Sequence, residues 1–154
     1  NTIKISKITD LEDPWGSTFV NNKELIITEK IGKIKLVDIE TGKVNEINHN
    51  INFLVDGQGG LLDIIFKDQY VWVSYSEDRG SGKSNTSIVK GKFNNKNINF
   101  KNIFQASPDI NSGYHYGSRL AIKGNQIYAS IGERGAGMIA QDPTNHTGSI
   151  IRIN

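Results

Sequence analysis

The sequence predicts an all-β protein assembled from a repeated multi-stranded unit. Two observations carry this. Short runs alternate apolar and polar residues along the whole chain, and they are punctuated by Gly, Asn and Asp. No stretch sustains a helical period. The runs are also enriched in β-branched and aromatic residues, which fit a pleated, half-buried surface.

Taken in order, residues 25–29 form the first clear strand, and Gly32 turns the chain into residues 33–39. Thr41 and Gly42 supply the next turn. Further strands are expected at residues 69–75, 86–93 and 126–131. They arrive in a pattern: Gly16-Ser-Thr-Phe-Val precedes Glu24-Leu-Ile-Ile-Thr, Gly60-Leu-Leu-Asp-Ile-Ile precedes Tyr70-Val-Trp-Val-Ser, and Gly117-Ser-Arg-Leu-Ala-Ile precedes Ile127-Tyr-Ala-Ser-Ile. The leading glycines stand 44 and 57 residues apart. A four-stranded propeller blade takes roughly 40–50 residues, so the longer interval predicts loop insertions at residues 76–85 and 106–116. Inserted loops tend to gather on one face of a repeat scaffold and carry function.

Residues 1–154 are therefore expected to be part of one β-propeller domain, with about three blades. Closed propellers need roughly four to eight. An arc of this size would leave strand edges unpaired, which predicts either self-association or a chain cut from something longer.

Composition excludes several function classes. The chain of 154 residues is 36% hydrophobic and 22% charged, ordinary for a folded domain. Its formal charge of +2 comes from dispersed lysines, which argues against nucleic acid. Cysteine is absent, removing disulfides, thiolate nucleophiles and Cys-ligated zinc. No apolar run reaches membrane-spanning length, so no membrane partner is expected.

His115, in Asn111-Ser-Gly-Tyr-His-Tyr-Gly-Ser-Arg-Leu120, is the principal candidate for chemistry, because imidazole accepts a proton near neutral pH. A hydrogen-bonded structural histidine is the competing reading. Asp56-Gly-Gln-Gly-Gly-Leu-Leu-Asp63 is either a hairpin connection or a tight loop that brings Gln58 to a pocket. Ile131-Gly-Glu-Arg-Gly-Ala-Gly137 places Glu133 and Arg134 in a turn, where the guanidinium either grips a polyol or anion or is simply solvated. Gly80-Ser-Gly-Lys-Ser84 imitates a P-loop, but Glu77 stands where its first glycine belongs and a strand follows where a helix is required. Nucleotide binding is rejected. His49, His115 and His146 lack metal-pair spacing, so no zinc site is expected. Asn85-Thr-Ser87 and Asn145-His-Thr147 match the glycosylation sequon, a common accidental pattern.

In order, Pro14-Trp15-Gly16 with Phe19, Leu25-Ile-Ile-Thr-Glu29, Gly57-Gln-Gly-Gly-Leu-Leu-Asp63, Val73-Ser-Tyr-Ser-Glu77, His115 with Gly117-Ser-Arg-Leu120, Ile131-Gly-Glu-Arg134 and Ala140-Gln-Asp142 with His146, Gly148 and Arg152-Ile153 resemble the glucose/sorbosone dehydrogenase family of soluble quinoproteins. The resemblance implies a six-bladed β-propeller. It also implies oxidation of aldose sugars at the anomeric carbon, with hydride transfer to pyrroloquinoline quinone (PQQ). By motif, His115 resembles the general base, and Gln58, Arg134 and Tyr114 resemble pocket positions that bind the sugar. Tyr114 departs from the histidine or aspartate that relatives often carry beside the base.

No cofactor-binding residue of this chain is identified by the resemblance, and its calcium is expected on later blades, near an Arg-Asn-Pro segment not found here. The chain thus resembles the amino-terminal half of such an enzyme, inactive when isolated. A periplasmic or secreted location and an external electron acceptor follow from the same likeness. The alternative is a non-catalytic propeller that binds carbohydrate or a protein partner. If the family reading holds, Gln58, His115 and Arg134 must converge on one end of the propeller.

Overall fold

The computed structural model describes residues 2–154. Its strands are β1 (Pro14–Phe19), β2 (Glu24–Glu29), β3 (Lys33–Asp38), β4 (Val44–His49), β5 (Leu61–Lys67), β6 (Tyr70–Asp78), β7 (Ser84–Lys92), β8 (Asn97–Ile98), β9 (Lys101–Gln105), β10 (Gly117–Lys123), β11 (Gln126–Ile131) and β12 (Ser149–Ile153). A single 3-10 turn spans Gly137–Gln141. No helix among the described residues is long and apolar enough to cross a membrane.

The strands form three sheets, ordered β1-β2-β3-β4-β8, β5-β6-β7-β9 and β10-β11-β12. β1, β5 and β10 each open a sheet; β5 lies against both of the others, so the three make the inner wall of an arc. The sheets do not close into a ring. This is an incomplete β-propeller, as the repeat predicts, but the blades are unequal. The second has four strands and the third three. The first gains a fifth from the excursion 94–98, where β8 pairs parallel with β4.

Burial on both faces of the middle blade holds the arc together. Along β6, Val71, Val73 and Tyr75 face the first blade, while Trp72 on the opposite face meets Leu120, Ile127 and Ala129 of the third. Period two thus assigns alternate side chains to two different interfaces.

The blade repeat differs from the glycine alignment. Each inner strand carries an irregularity in its pairing, between Pro14 and Ser17, Leu61 and Ile64, and Gly117 and Leu120. These bulges mark equivalent positions, so Gly16 corresponds to Asp63 and Arg119, not to Gly60 and Gly117. Hydrogen bonds repeat in register with the bulges. Gly16 N–H donates to Thr28 Oγ1 (3.0 Å), Asp63 N–H to Ser74 Oγ (3.0 Å) and Arg119 N–H to Ser130 Oγ (3.1 Å).

The first two of those hydroxyls donate onward to the next blade, Thr28 to the Leu62 carbonyl and Ser74 to the Ser118 carbonyl at 2.7 Å. In the first two blades, one hydroxyl therefore satisfies its own bulge and stitches its neighbour. Gly16 is required for the close approach: a Cβ there would lie 2.8 Å from Asp63 Cα. Residues 76–85, expected as an inserted loop, are half strand. β6 and β7 stay paired to Asp78↔Ser84, leaving Arg79–Lys83 as the turn.

Tyr75 gives this interface a measurable pH signature. Its side chain is only 2% exposed. Burial, and then the nearby Glu77 carboxylate, push the phenol up to about 12 against the Asn102 amide that donates to its oxygen. An unfolded tyrosine ionises near 10, so between about pH 10 and 12 only the unfolded state releases the proton, and stability falls by about 1.4 kcal/mol per pH unit. Below pH 10 the contribution is intact. Urea unfolding of wild type and Tyr75→Phe from pH 8 to 12 is expected to show this extra alkaline slope only in the wild type. Parallel curves would refute it.

Candidate active site

Inner strands all start at the same end of the arc, so the segments leading into β5 and β10 emerge together. The loop after β11, whose strand runs the opposite way, returns to that end. Gln58, Tyr114, His115, Glu133 and Arg134 meet there.

His115 sits in a left-handed backbone conformation (φ 50°), uncommon for a residue with a side chain. Two contacts hold it. Its N–H donates to Gln58 Oε1 (2.8 Å), and its carbonyl accepts from Arg134 N–H (3.2 Å). Gln58 is itself anchored, its N–H donating to the Gly113 carbonyl at 2.8 Å. Gly132 lets the two loops touch, since a Cβ there would sit 1.8 Å from the His115 oxygen. The result is an imidazole that stands out from the surface, its side chain 53% exposed, on a backbone clamped from both sides.

His115 Nδ1 is hydrogen-bonded to Glu133 Oε1. That bond holds the Glu133 carboxyl below its ordinary value, helped by backbone N–H donors including Gly135. An ionised carboxylate accepts only, so neutral His115 carries its proton on Nδ1 and presents a bare Nε2. A base oriented by a carboxylate is the arrangement that general-base chemistry uses. Tyr114 flanks it, 60% exposed, its ring edge-on to the imidazole with centroids 6.1 Å apart.

Gln58 reaches the end that carries His115, but its carbonyl oxygen is occupied by the His115 backbone, leaving only its amide N–H groups for a ligand. Arg134 is corrected. It is 1% exposed, lies beneath the loop and does not line the surface. Its Nε donates to the Tyr114 carbonyl (2.9 Å), Nη1 to the Ser84 carbonyl (2.6 Å), and Nη2 to Ser84 Oγ (3.2 Å) and the Ser112 carbonyl. The guanidinium also stacks on the Tyr116 ring at 3.7 Å, and burial lowers its pKa. No donor so committed is free to grip a sugar.

Glu133 is the residue that sequence reasoning missed as a functional group. Its only signal was a position just past a strand end that returns to the His115 face. The other two histidines are structural: His49 Nε2 bonds the Gly32 carbonyl (2.9 Å), and His146 Nδ1 accepts from Ser107 N–H (3.1 Å).

A concavity of about 560 Å³ lies at the opposite end, between the turns at Lys67-Asp68 and Gly124-Asn125. Its walls continue the apolar contact between the second and third blades through Trp72, Ile122 and Ile127, and no histidine lines it. The His115–Glu133 pair lies at the other end of the arc. Among the described residues, no group of three or more His, Cys, Asp or Glu side chains could hold a metal ion.

Comparisons with known proteins agree with this architecture. Aldose sugar dehydrogenase YliI of Escherichia coli (strain K12) is 27% identical over 163 residues, covering 99% of this chain and 44% of its own length. A crystal structure of glucose dehydrogenase superposes with a TM-score of 0.87 at 27% identity, over 94% of this chain and 45% of that one. The PQQ-bound form of aldose sugar dehydrogenase from Streptomyces coelicolor shares the fold, with a TM-score of 0.83 at 24% identity over 95% and 46% of the two chains. The chain spans less than half the length of the curated relatives it matches. Residues 11–154 match the model of the Glucose / Sorbosone dehydrogenase family, and the chain belongs to that family.

Proposed function

We propose that this chain supplies the proton-accepting side of a PQQ-dependent aldose dehydrogenase, with His115 as general base. The observation that carries the reading is the imidazole whose Nδ1 is held by Glu133 and whose Nε2 is bare and exposed. Family membership supplies the reaction class.

The residues present fit the reacting edge of such a site. Nε2 of His115 takes the proton from the anomeric hydroxyl of the sugar, and the imidazolium that forms is stabilised by the Glu133 carboxylate. The clamp on the His115 backbone fixes the angle at which Nε2 meets the hydroxyl. Tyr114, exposed beside the base, and the free amide N–H groups of Gln58 are placed to contact the sugar ring. Bound PQQ supplies the two-electron acceptor for the hydride that leaves the anomeric carbon. Among these residues none is a free cation able to grip the quinone's carboxylates, since the Arg134 guanidinium is committed to carbonyls. Calcium and a periplasmic or secreted setting belong to the same proposal, on the family likeness alone.

The test is reconstitution of the complete protein with PQQ and calcium, assayed by dye reduction with a panel of aldoses. Turnover is expected with at least one aldose, and His115→Asn is expected to lower it by roughly 10²–10⁴-fold. Sugar binding without quinone binding would replace this reading with a non-catalytic carbohydrate-binding propeller. A wild-type rate in His115→Asn would remove His115 from the chemistry.

A further inference from the structure

Arg134 is a buried cation with no carboxylate at ion-pair distance among the described residues, although burying an ion costs several kcal/mol unless its donors are met. Its hydrogen bonds show what meets them. Two of its three carbonyl acceptors, Ser112 and Tyr114, belong to the loop that presents His115; the third, Ser84, opens β7 of the neighbouring blade. Tyr116, one residue past His115, closes the circuit. Its ring lies under the guanidinium, and its hydroxyl pairs with Ser84 Oγ (2.7 Å) and donates to the Ser112 carbonyl (3.2 Å). Backbone N–H of the same Arg134 holds the His115 carbonyl.

We propose that Arg134 is the positioning residue for His115: its guanidinium ties the loop 112–116 to the second blade and so aims the imidazole at Glu133 and the open face. The proposal rests on the reading of His115 as general base. The fork geometry is what matters. Planar guanidinium donors diverge to separate carbonyls at once, whereas a lysine ammonium is a compact point charge on a flexible stem that cannot reproduce the fork. Glu133 orients the ring from one side and Arg134 orients the backbone from below, yet the two are consecutive in sequence. One turn after β11 therefore sets both.

Arg134→Lys in the complete protein is the test, read in two ways. Turnover is expected to fall about 10–100-fold, with KM changed far less, as for a misplaced base. Independently of turnover, the hydrogen-bonded Nδ1 proton of His115, assigned by its loss in His115→Asn, is expected to broaden or vanish from the proton NMR spectrum. Ser84→Ala keeps the guanidinium and removes one acceptor; it is expected to shift both readouts the same way but less, and it decides the matter if Arg134→Lys does not fold. Wild-type turnover with an unchanged Nδ1 signal, in whichever variant is folded, overturns the proposal. Should His115→Asn itself retain turnover, the general-base reading fails alone, and the NMR signal still judges Arg134.

Discussion

Glu133→Gln is expected to reduce turnover by roughly 10²–10⁴-fold while leaving sugar affinity close to wild type. A glutamine fills the same space, but its amide can turn its NH₂ toward Nδ1. The imidazole would then carry its proton on Nε2, the atom that must be bare to accept one. Even with the amide oxygen turned inward, the imidazolium formed during reaction would lose its compensating charge. Glu133→Asp keeps charge and acceptor but shortens the reach, and should fall between. A Glu133→Gln enzyme with wild-type kcat would reduce the His115–Glu133 pair to a surface contact.

Much of the fold was legible because strand patterning is local. The β-branched and aromatic run at residues 69–75 announces a strand, and β6 is that strand. The blade register was less legible. The glycines suggest one register, but the equivalence runs through the bulges at Gly16, Asp63 and Arg119, three unlike residues, and through Thr28, Ser74 and Ser130, whose hydroxyls answer them. Nothing in composition marks a backbone bulge whose N–H is met by a side chain on the next strand.

The site divides the same way. His115 and Gln58 could be named because residue type and motif point to them. Arg134 could be named, but its burial could not be foreseen, since its partners are main-chain carbonyls that any sequence supplies. Glu133 was invisible as a partner for the same reason in reverse: its meeting with His115 depends on two turns, 18 residues apart, arriving at one end of the arc.

Asp63→Ala is expected to be the most destabilising single change at the contact between the second and third blades. Asp63 is 4% exposed and stands in the bulge of β5. Its Oδ2 accepts from the N–H of Leu120 across the interface (2.7 Å), and its Oδ1 from its own neighbour Ile64 (3.0 Å). Both N–H groups are buried in irregular pairing, so no ladder carbonyl replaces the lost carboxylate. Each orphaned group costs about 1–3 kcal/mol, a large share of the roughly 5–15 kcal/mol that holds a domain together.

The Arg119 guanidinium also reaches Asp63, at 3.4 Å, but its side chain is 80% exposed, and a solvated pair of that kind contributes about 0–1 kcal/mol. The two variants therefore separate the causes. Urea unfolding of the complete protein should show a large drop in midpoint for Asp63→Ala and almost none for Arg119→Ala. Asp63→Asn should lie between them, because an amide oxygen can still accept from one of the two N–H groups. Equal losses from Asp63→Ala and Arg119→Ala would mean that the ion pair, and not the backbone latch, joins the blades.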